Sequence, residues 1–147
     1  GYIAVNAGIA CGAEVILIPE REFDFDQDVL RTILESKARG KKHSIIIVAE
    51  GIGGVIEMAK EIEEKTGIET RATILGHIQR GGSPSVRDRV VASRMGARAV
   101  ELLIEGKSNR IVCMQENKVT DVDIEEGLSM KKSISDELIE LAKKLTV

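Results

Sequence analysis

The chain has 147 residues, of which 43 % are apolar and 31 % charged, with a formal net charge of −3. That length and balance suit one soluble globular fold with a real core, and the slight acidity argues against a general nucleic-acid surface. Aromatic residues make up only 2 %, with no Trp, so the core is aliphatic and aromatic stacking on a base or sugar is nearly excluded.

In chain order, residues 1–11 are rich in Ala, Ile and Gly, with Ile3, Ala7 and Cys11 at helical spacing. They predict a buried helix stopped at Gly12. Residues 14–18 predict a short apolar strand ended by Pro19. Asp24 or Asp26 is placed to cap a helix whose face is Val29, Leu30, Ile33 and Leu34, and Gly40 ends it. Residues 44–49 are continuously apolar and β-branched, as in a parallel strand covered on both faces. They run into the turn Glu50-Gly51-Ile52-Gly53-Gly54. Val55, Met58, Ala59 and Ile62 then mark an amphipathic helix closed by Gly67.

Residues 70–75 read as a strand that stops at Gly76. A polar loop with His77, Gln79, Arg80 and Gly81-Gly82 follows, and Ser83-Pro84 has the form of an N-cap with proline at the first helical position. A long helix is expected from Pro84 to about Glu105, with Val86, Val90, Met95, Leu102 and Leu103 inward. After a turn at residues 106–109, two short strands are expected over 110–115 and 118–122, around Glu116-Asn117. Asp123 is placed to cap a short helix over 124–129. Ser135 begins a last helix with Leu138, Leu141, Ala142 and Leu145 on one face. Strand–helix alternation through the first two thirds predicts βαβ units, hence an α/β fold with a mostly parallel sheet and flanking helices in Rossmann-type layers.

No apolar run reaches the ~20 residues that span a bilayer, and no signal peptide is visible. Cys11 and Cys113 lie far apart and read as buried free thiols in a reducing compartment. The chain starts at Gly1 without Met and runs straight into structure, which reads as a piece of a longer protein.

The chemical signal concentrates in four places. His77, Arg80, Gly81 and Gly82 sit between a strand's C-end and a helix start, where open α/β sheets bind ligands and free amides favour anions. Arg71, a charge inside a predicted strand, needs a partner or a subunit interface, unless it lies on an exposed edge. Glu50 follows an apolar strand, where a carboxylate accepts from a polyol hydroxyl, binds a metal or complements a helix N-terminus. Arg39, Lys41, Lys42 and His43 form a basic cluster that fits either a multiply charged phosphate or a solvated charge run. No nucleophile elbow, His-Glu-x-x-His, P-loop or Cys-x-x-Cys is present.

Residues 40–51 (Gly-Lys-Lys-His-Ser-Ile-Ile-Ile-Val-Ala-Glu-Gly), residues 69–84 (Glu-Thr-Arg-Ala-Thr-Ile-Leu-Gly-His-Ile-Gln-Arg-Gly-Gly-Ser-Pro), Asp88-Arg89 and residues 92–97 (Ala-Ser-Arg-Met-Gly-Ala) closely resemble the motifs of bacterial 6-phosphofructokinases. The likeness covers almost the whole chain, as the C-terminal half of that enzyme. It implies transfer of the γ-phosphoryl of Mg²⁺–ATP to fructose 6-phosphate in a cytoplasmic, allosteric, homotetrameric enzyme of glycolysis. By the same resemblance His77 and Arg80 bind the sugar's 6-phosphate, Arg71 does so from a neighbouring subunit, and Glu50 holds sugar hydroxyls. The resemblance also implies an effector site for ADP or phosphoenolpyruvate. There Glu14 and the backbone at Gly12 and Ala13 meet a diphosphate or its Mg²⁺, and Arg39, Lys41, Lys42 and His43 surround the phosphates.

The resemblance further implies that residues 1–79 and 129–147 belong to a sugar-phosphate and effector domain, and 80–128 to a nucleotide-binding domain. The family's Gly-Gly-Asp-Gly loop and its Thr-x-Asp-x-Asp segment, which carries the catalytic base, have no counterpart in the chain. Ser108-Asn109 stands where a Gly-Gly is common. The isolated chain is therefore expected not to turn over. The rival expectations are a non-catalytic binding module and a pyrophosphate-dependent relative.

Overall fold

In the computed structural model, which describes residues 1–131 and 133–145, the chain divides into two units, Gly1–Gln79 with Ser133–Val147, and Arg80–Lys132. No helix among the described residues is long and apolar enough to cross a membrane.

The first unit opens with helix α1, Tyr2–Cys11, ended by Gly12 at φ 67°, whose N–H caps the carbonyls of Gly8 and Ile9. Strands β1, Val15–Leu17, and β2, Ile46–Val48, pair in parallel with Val15 opposite Ile46 and Leu17 opposite Val48. Between them Asp24 caps the next helix, its carboxylate accepting from the Gln27 amide at 2.9 Å. That helix begins as a wide π-type segment, Phe25–Arg31, and continues as α2, Thr32–Ala38. Helix α3, Val55–Thr66, is closed by Gly67 at φ 65°. Val15, Leu17, Val29, Leu30, Ile33 and Ile62 form one buried cluster. Ala4, Val5 and Ile18 form a second, against Leu138 and Ile139 of the last helix, α6, Asp136–Leu145.

Several expectations need correction here. Helix α1 buries Ala4, Val5 and Gly8, while Ile3, Ala7 and Cys11 are exposed. Gly8 decides this: without a Cβ it lets the helix backbone approach Ile16, so the smallest face is the one turned inward. Leu34 is likewise exposed. Strand β2 is half-buried along its length, because β1 is its single strand neighbour among the described residues. The strand expected at 70–75 is absent. β-propensity expresses a fit to a pleated, paired surface, and residues 71–74 make no backbone–backbone hydrogen bond among the described residues. Ile74 stands 72 % exposed. The polar loop after it is a 3₁₀ turn, Gly76–Arg80.

The second unit is built on helix α4, Val86–Ile104. Its N-cap is Ser85, two residues later than expected. The Ser85 hydroxyl accepts from the Asp88 amide at 3.2 Å and the Asp88 carboxylate accepts from the Ser85 amide at 2.8 Å. Ser85 has an acid at the third helical position and Ser83 has Val86 there, so the capping box selects Ser85. Strands β3, Arg110–Gln115, and β4, Lys118–Asp123, form an antiparallel hairpin with Arg110 opposite Asp123 and Gln115 opposite Lys118. Glu116 and Asn117 turn it with φ 48° and 63°, the left-handed pair whose twist matches the strands. Asp123 caps α5, Ile124–Ser129, accepting from the Glu125 amide at 2.9 Å.

Asp121 ties helix to hairpin, with Arg98 Nη2 at 2.9 Å and Arg110 Nη2 at 2.8 Å. The hydrogen bonds from Arg98 and then Arg110 hold its carboxyl below the ordinary range. Leu102 is buried and Met95 half-buried as expected, whereas Val86, Val90 and Leu103 are exposed. Of the segment expected over 129–147, residues 132, 146 and 147 lie outside the described residues.

Candidate functional site

Parallel pairing sets the residue before β1 beside the loop before β2. Glu14 therefore meets residues 41–45. Its amide donates to the Ile45 carbonyl at 2.9 Å. Its carboxylate accepts from Lys41 Nζ at 2.8 Å and from the Ile45 amide at 2.6 Å, with only 5 % of the side chain exposed. Burial pushes the Glu14 carboxyl up, and the hydrogen bonds from Lys41 and Ile45 together outweigh it, so the net displacement is downward. Gly40, at φ 90°, reverses the chain after α2 and presents Lys41, Lys42 and His43 towards the end of α1.

These elements enclose a cleft of about 420 Å³ lined by Cys11, Gly12, Glu14, Gly40, Lys41, Lys42, His43 and Ile45. Two ammonium groups and an imidazole face one carboxylate, which already neutralises Lys41. Lys42 has no ion pair among the described residues. The surplus is cationic and suits a phosphate-bearing ligand. Of the expected effector residues, Gly12, Glu14, Lys41, Lys42 and His43 line the cleft. Ala13 is buried, and Arg39, the last-turn cap of α2, reaches Ser36 Oγ at 3.5 Å; neither lines it.

The metal expected at Glu14 is one carried by the effector. No group of three His, Cys, Asp or Glu side chains gathers as metal ligands among the described residues. Both Glu14 oxygens are already engaged. The donor set fits a phosphate, not an ion held by the protein alone.

Cys11, Gly40 and the Ile45 amide join the cleft without having been singled out as binding groups. Cys11, expected to be buried, is exposed at the end of α1; Cys113 is half-buried, and both are free thiols. Gly40 carried a signal as a helix stop. The Ile45 amide carried none, because its partner is set by the β1–β2 register.

The expected sugar-phosphate residues are placed differently. Glu50 is exposed in the turn after β2. Arg71 donates from Nε and Nη2 to Glu69 Oε1, at 2.9 and 2.6 Å, and 84 % of its side chain is exposed. His77 and Arg80 stand three apart on the 3₁₀ turn, where side chains at that spacing eclipse. Neither the Glu14 cleft nor the hollow lined by Arg87, Met95 and Met114 is lined by Glu50, Arg71, His77 or Arg80.

A phosphofructokinase family model matches residues 1–103. The chain is 58 % identical over 142 residues to the ATP-dependent 6-phosphofructokinase 1 of Clostridium perfringens, across 97 % of this chain and 44 % of that protein. It is 56 % identical over 147 residues to the ATP-dependent 6-phosphofructokinase of Bacillus cereus strain B4264, across 100 % of this chain and 46 % of that protein. The chain thus spans about half the length of the curated relatives it matches. Among solved structures it is similar to the crystal structure of Pichia pastoris phosphofructokinase in the T-state, with a TM-score of 0.79 and 27 % identity, across 99 % of this chain and 18 % of that one. Its likeness to Saccharomyces cerevisiae phosphofructokinase, TM-score 0.77 at 21 % identity, across 99 % of this chain and 23 % of that one, shows the fold.

Proposed function

The chain belongs to the phosphofructokinase family, and on that premise we propose that it carries the sugar-phosphate grip and the effector cleft of an ATP-dependent 6-phosphofructokinase. That enzyme transfers the γ-phosphoryl of ATP to fructose 6-phosphate and forms fructose 1,6-bisphosphate. In this reading His77 and Arg80 hold the 6-phosphate, Arg71 reaches the same phosphate from a neighbouring subunit of a homotetramer, and Glu50 accepts from sugar hydroxyls. Residues 1–79 and 129–147 belong to a sugar-phosphate domain and 80–128 to a nucleotide-binding one. The setting is cytoplasmic glycolysis.

The observation that supports the reading is the family match over residues 1–103, which include His77 and Arg80, both in the turn Gly76–Arg80. Both are solvated side chains in the ligand-free chain. A sugar phosphate replaces their water with charge-assisted hydrogen bonds, roughly twice as strong as neutral ones. Among the described residues Arg71 is held by Glu69 alone, an exposed pair of little energetic weight, so a phosphate can draw it away at small cost.

The cleft at Glu14 takes the allosteric role: ADP or phosphoenolpyruvate places its phosphates on Lys41, Lys42 and His43. Mg²⁺ and ATP belong to the proposed reaction, where they provide charge stabilisation of the transferring phosphoryl. The names of the curated relatives favour ATP over pyrophosphate as donor.

The test uses a chimera in which this chain replaces the matched residues of the Clostridium perfringens relative. Arg80→Ala is expected to lower kcat/KM for fructose 6-phosphate by the equivalent of about 2–5 kcal/mol, the usual cost of removing one partner of a desolvated charge pair. An unchanged KM for the sugar phosphate removes Arg80 from the grip.

A further inference from the structure

The helix that leads into the cationic cleft is wound wide at its start. Over Phe25–Arg31 it is a π-type segment, whose hydrogen bonds close at i+5, before it tightens into α2. Each loop of the segment therefore holds one residue more than an α-helical loop. The local sequence does not impose this, since residues 25–31 contain neither Gly nor Pro. The start of the helix shows where the surplus lies. In a regular capping box the residue three after the N-cap reaches back to the N-cap amide. Here that position is Gln27, and the Asp24 amide donates instead to the Asp28 carboxylate, one residue later, at 2.8 Å.

Both ends of the helix are fastened. Phe25 packs against the cluster that holds Val29, Leu30 and Ile62. Lys65 of α3 stands 3.0 Å from the Asp26 carboxylate and over the Phe25 ring. Downstream, Ile33 and Ser36 are buried. The Gly40 amide donates to the Lys37 carbonyl at 2.9 Å and the Lys41 amide to the Ser36 carbonyl at 3.1 Å, a Schellman closure that ties Lys41 to the end of α2. An extra residue between two fixed ends is slack.

The cleft has a use for slack on that side. Its other walls are set: Glu14 and Ile45 by the β1–β2 register, Cys11 and Gly12 by the close seat of α1 on Ile16. Lys41, Lys42 and His43 hang from α2 around a space of about 420 Å³. We propose that Phe25–Arg31 is a slip joint for this wall. When a phosphate-bearing ligand draws Lys42 and His43 inward, wide loops tighten to α-helical ones. The last turn of α2 then follows, while the first turn of the segment stays fastened to α3. A shift below the ~1.5 Å rise of one residue leaves Ile33 and Ser36 in the core. This role presupposes the phosphate reading of the cleft and adds a moving part to it.

The test is amide hydrogen exchange on this chain with and without ADP, read by mass spectrometry, beside a variant that lacks Gln27. Deleting Gln27 brings Asp28 to the capping-box position and removes the surplus residue. In the full chain ADP is expected to slow exchange at least about threefold across residues 27–38, and not only in the cleft residues 40–45. The deletion is expected to raise the thermal midpoint and to abolish the ADP effect on residues 29–38. It should also weaken ADP about tenfold, within the usual range of conformational coupling. Slowing confined to residues 40–45 would overturn the proposal, as would a deletion variant that binds ADP as tightly as the full chain. So would a deletion variant that melts lower or does not fold, because the extra residue would then be a packing requirement. Those outcomes leave the cleft reading standing. If calorimetry finds no binding of ADP or of inorganic pyrophosphate, the cleft reading falls and the joint falls with it.

Discussion

Glu14 has both carboxylate oxygens occupied, one by an ammonium and one by a backbone amide, in a position nearly closed to water. Its carboxyl titrates below the ordinary range in the folded chain. Its ionised form therefore stabilises the fold above the unfolded value, about 4.3, and that contribution drains away as pH falls through the lower folded value. Lys41→Met strands the carboxylate with a single donor. The expected cost is about 1–2 kcal/mol at pH 7, the scale of one hydrogen bond to a partly desolvated charged group. That cost should shrink as pH falls through the lowered folded value, where Glu14 protonates in both proteins. Urea unfolding at pH 7 and pH 3.5 measures it, and a difference that does not change with pH would assign the loss to the lysine's methylene packing.

At the scale of elements, α1 and the strand pair are held together by a missing side chain. A Cβ on Gly8 would overlap the Ile16 side chain, and Ile16 is β-branched and stiff at χ1. Gly8→Ala is a favourable change for an isolated helix, by up to about 1 kcal/mol. In this chain it should instead destabilise by about 1–3 kcal/mol through overpacking. Thermal unfolding decides between the two: a raised midpoint would show that α1 shifts freely on the sheet. The cleft would feel such a shift, since Cys11 and Gly12 end the same helix.

For the whole molecule, two units of described structure account for about half of a relative's length. The Gly-Gly-Asp-Gly loop and the Asp-bearing segment of the resembled family are not in its sequence. The isolated chain is expected to bind ADP at the cationic cleft in calorimetry and to give no fructose 1,6-bisphosphate above background in a coupled assay. Robust product would place the base among these 147 residues. Calorimetric silence with ADP would reduce Lys41–His43 to a solvated charge run.

The sequence alone determined the features whose rules act over a few residues. The Gly12 and Gly67 helix stops, the Asp24 and Asp123 caps and the Glu116-Asn117 hairpin turn were all legible, because each is satisfied within one turn of chain. The family motifs were legible for a different reason: they are long runs of side-chain chemistry. Tertiary structure alone decided which face of α1 and α4 is buried, whether residues 70–75 become a strand, and that Glu14 receives the Ile45 amide. Burial and strand pairing depend on a neighbour distant in sequence, and a periodic stripe or a β-branched run states readiness for that neighbour without naming it. Where the neighbour is β1, the cleft is assembled; where none lies among the described residues, Ile74, Val86 and Ile104 face water.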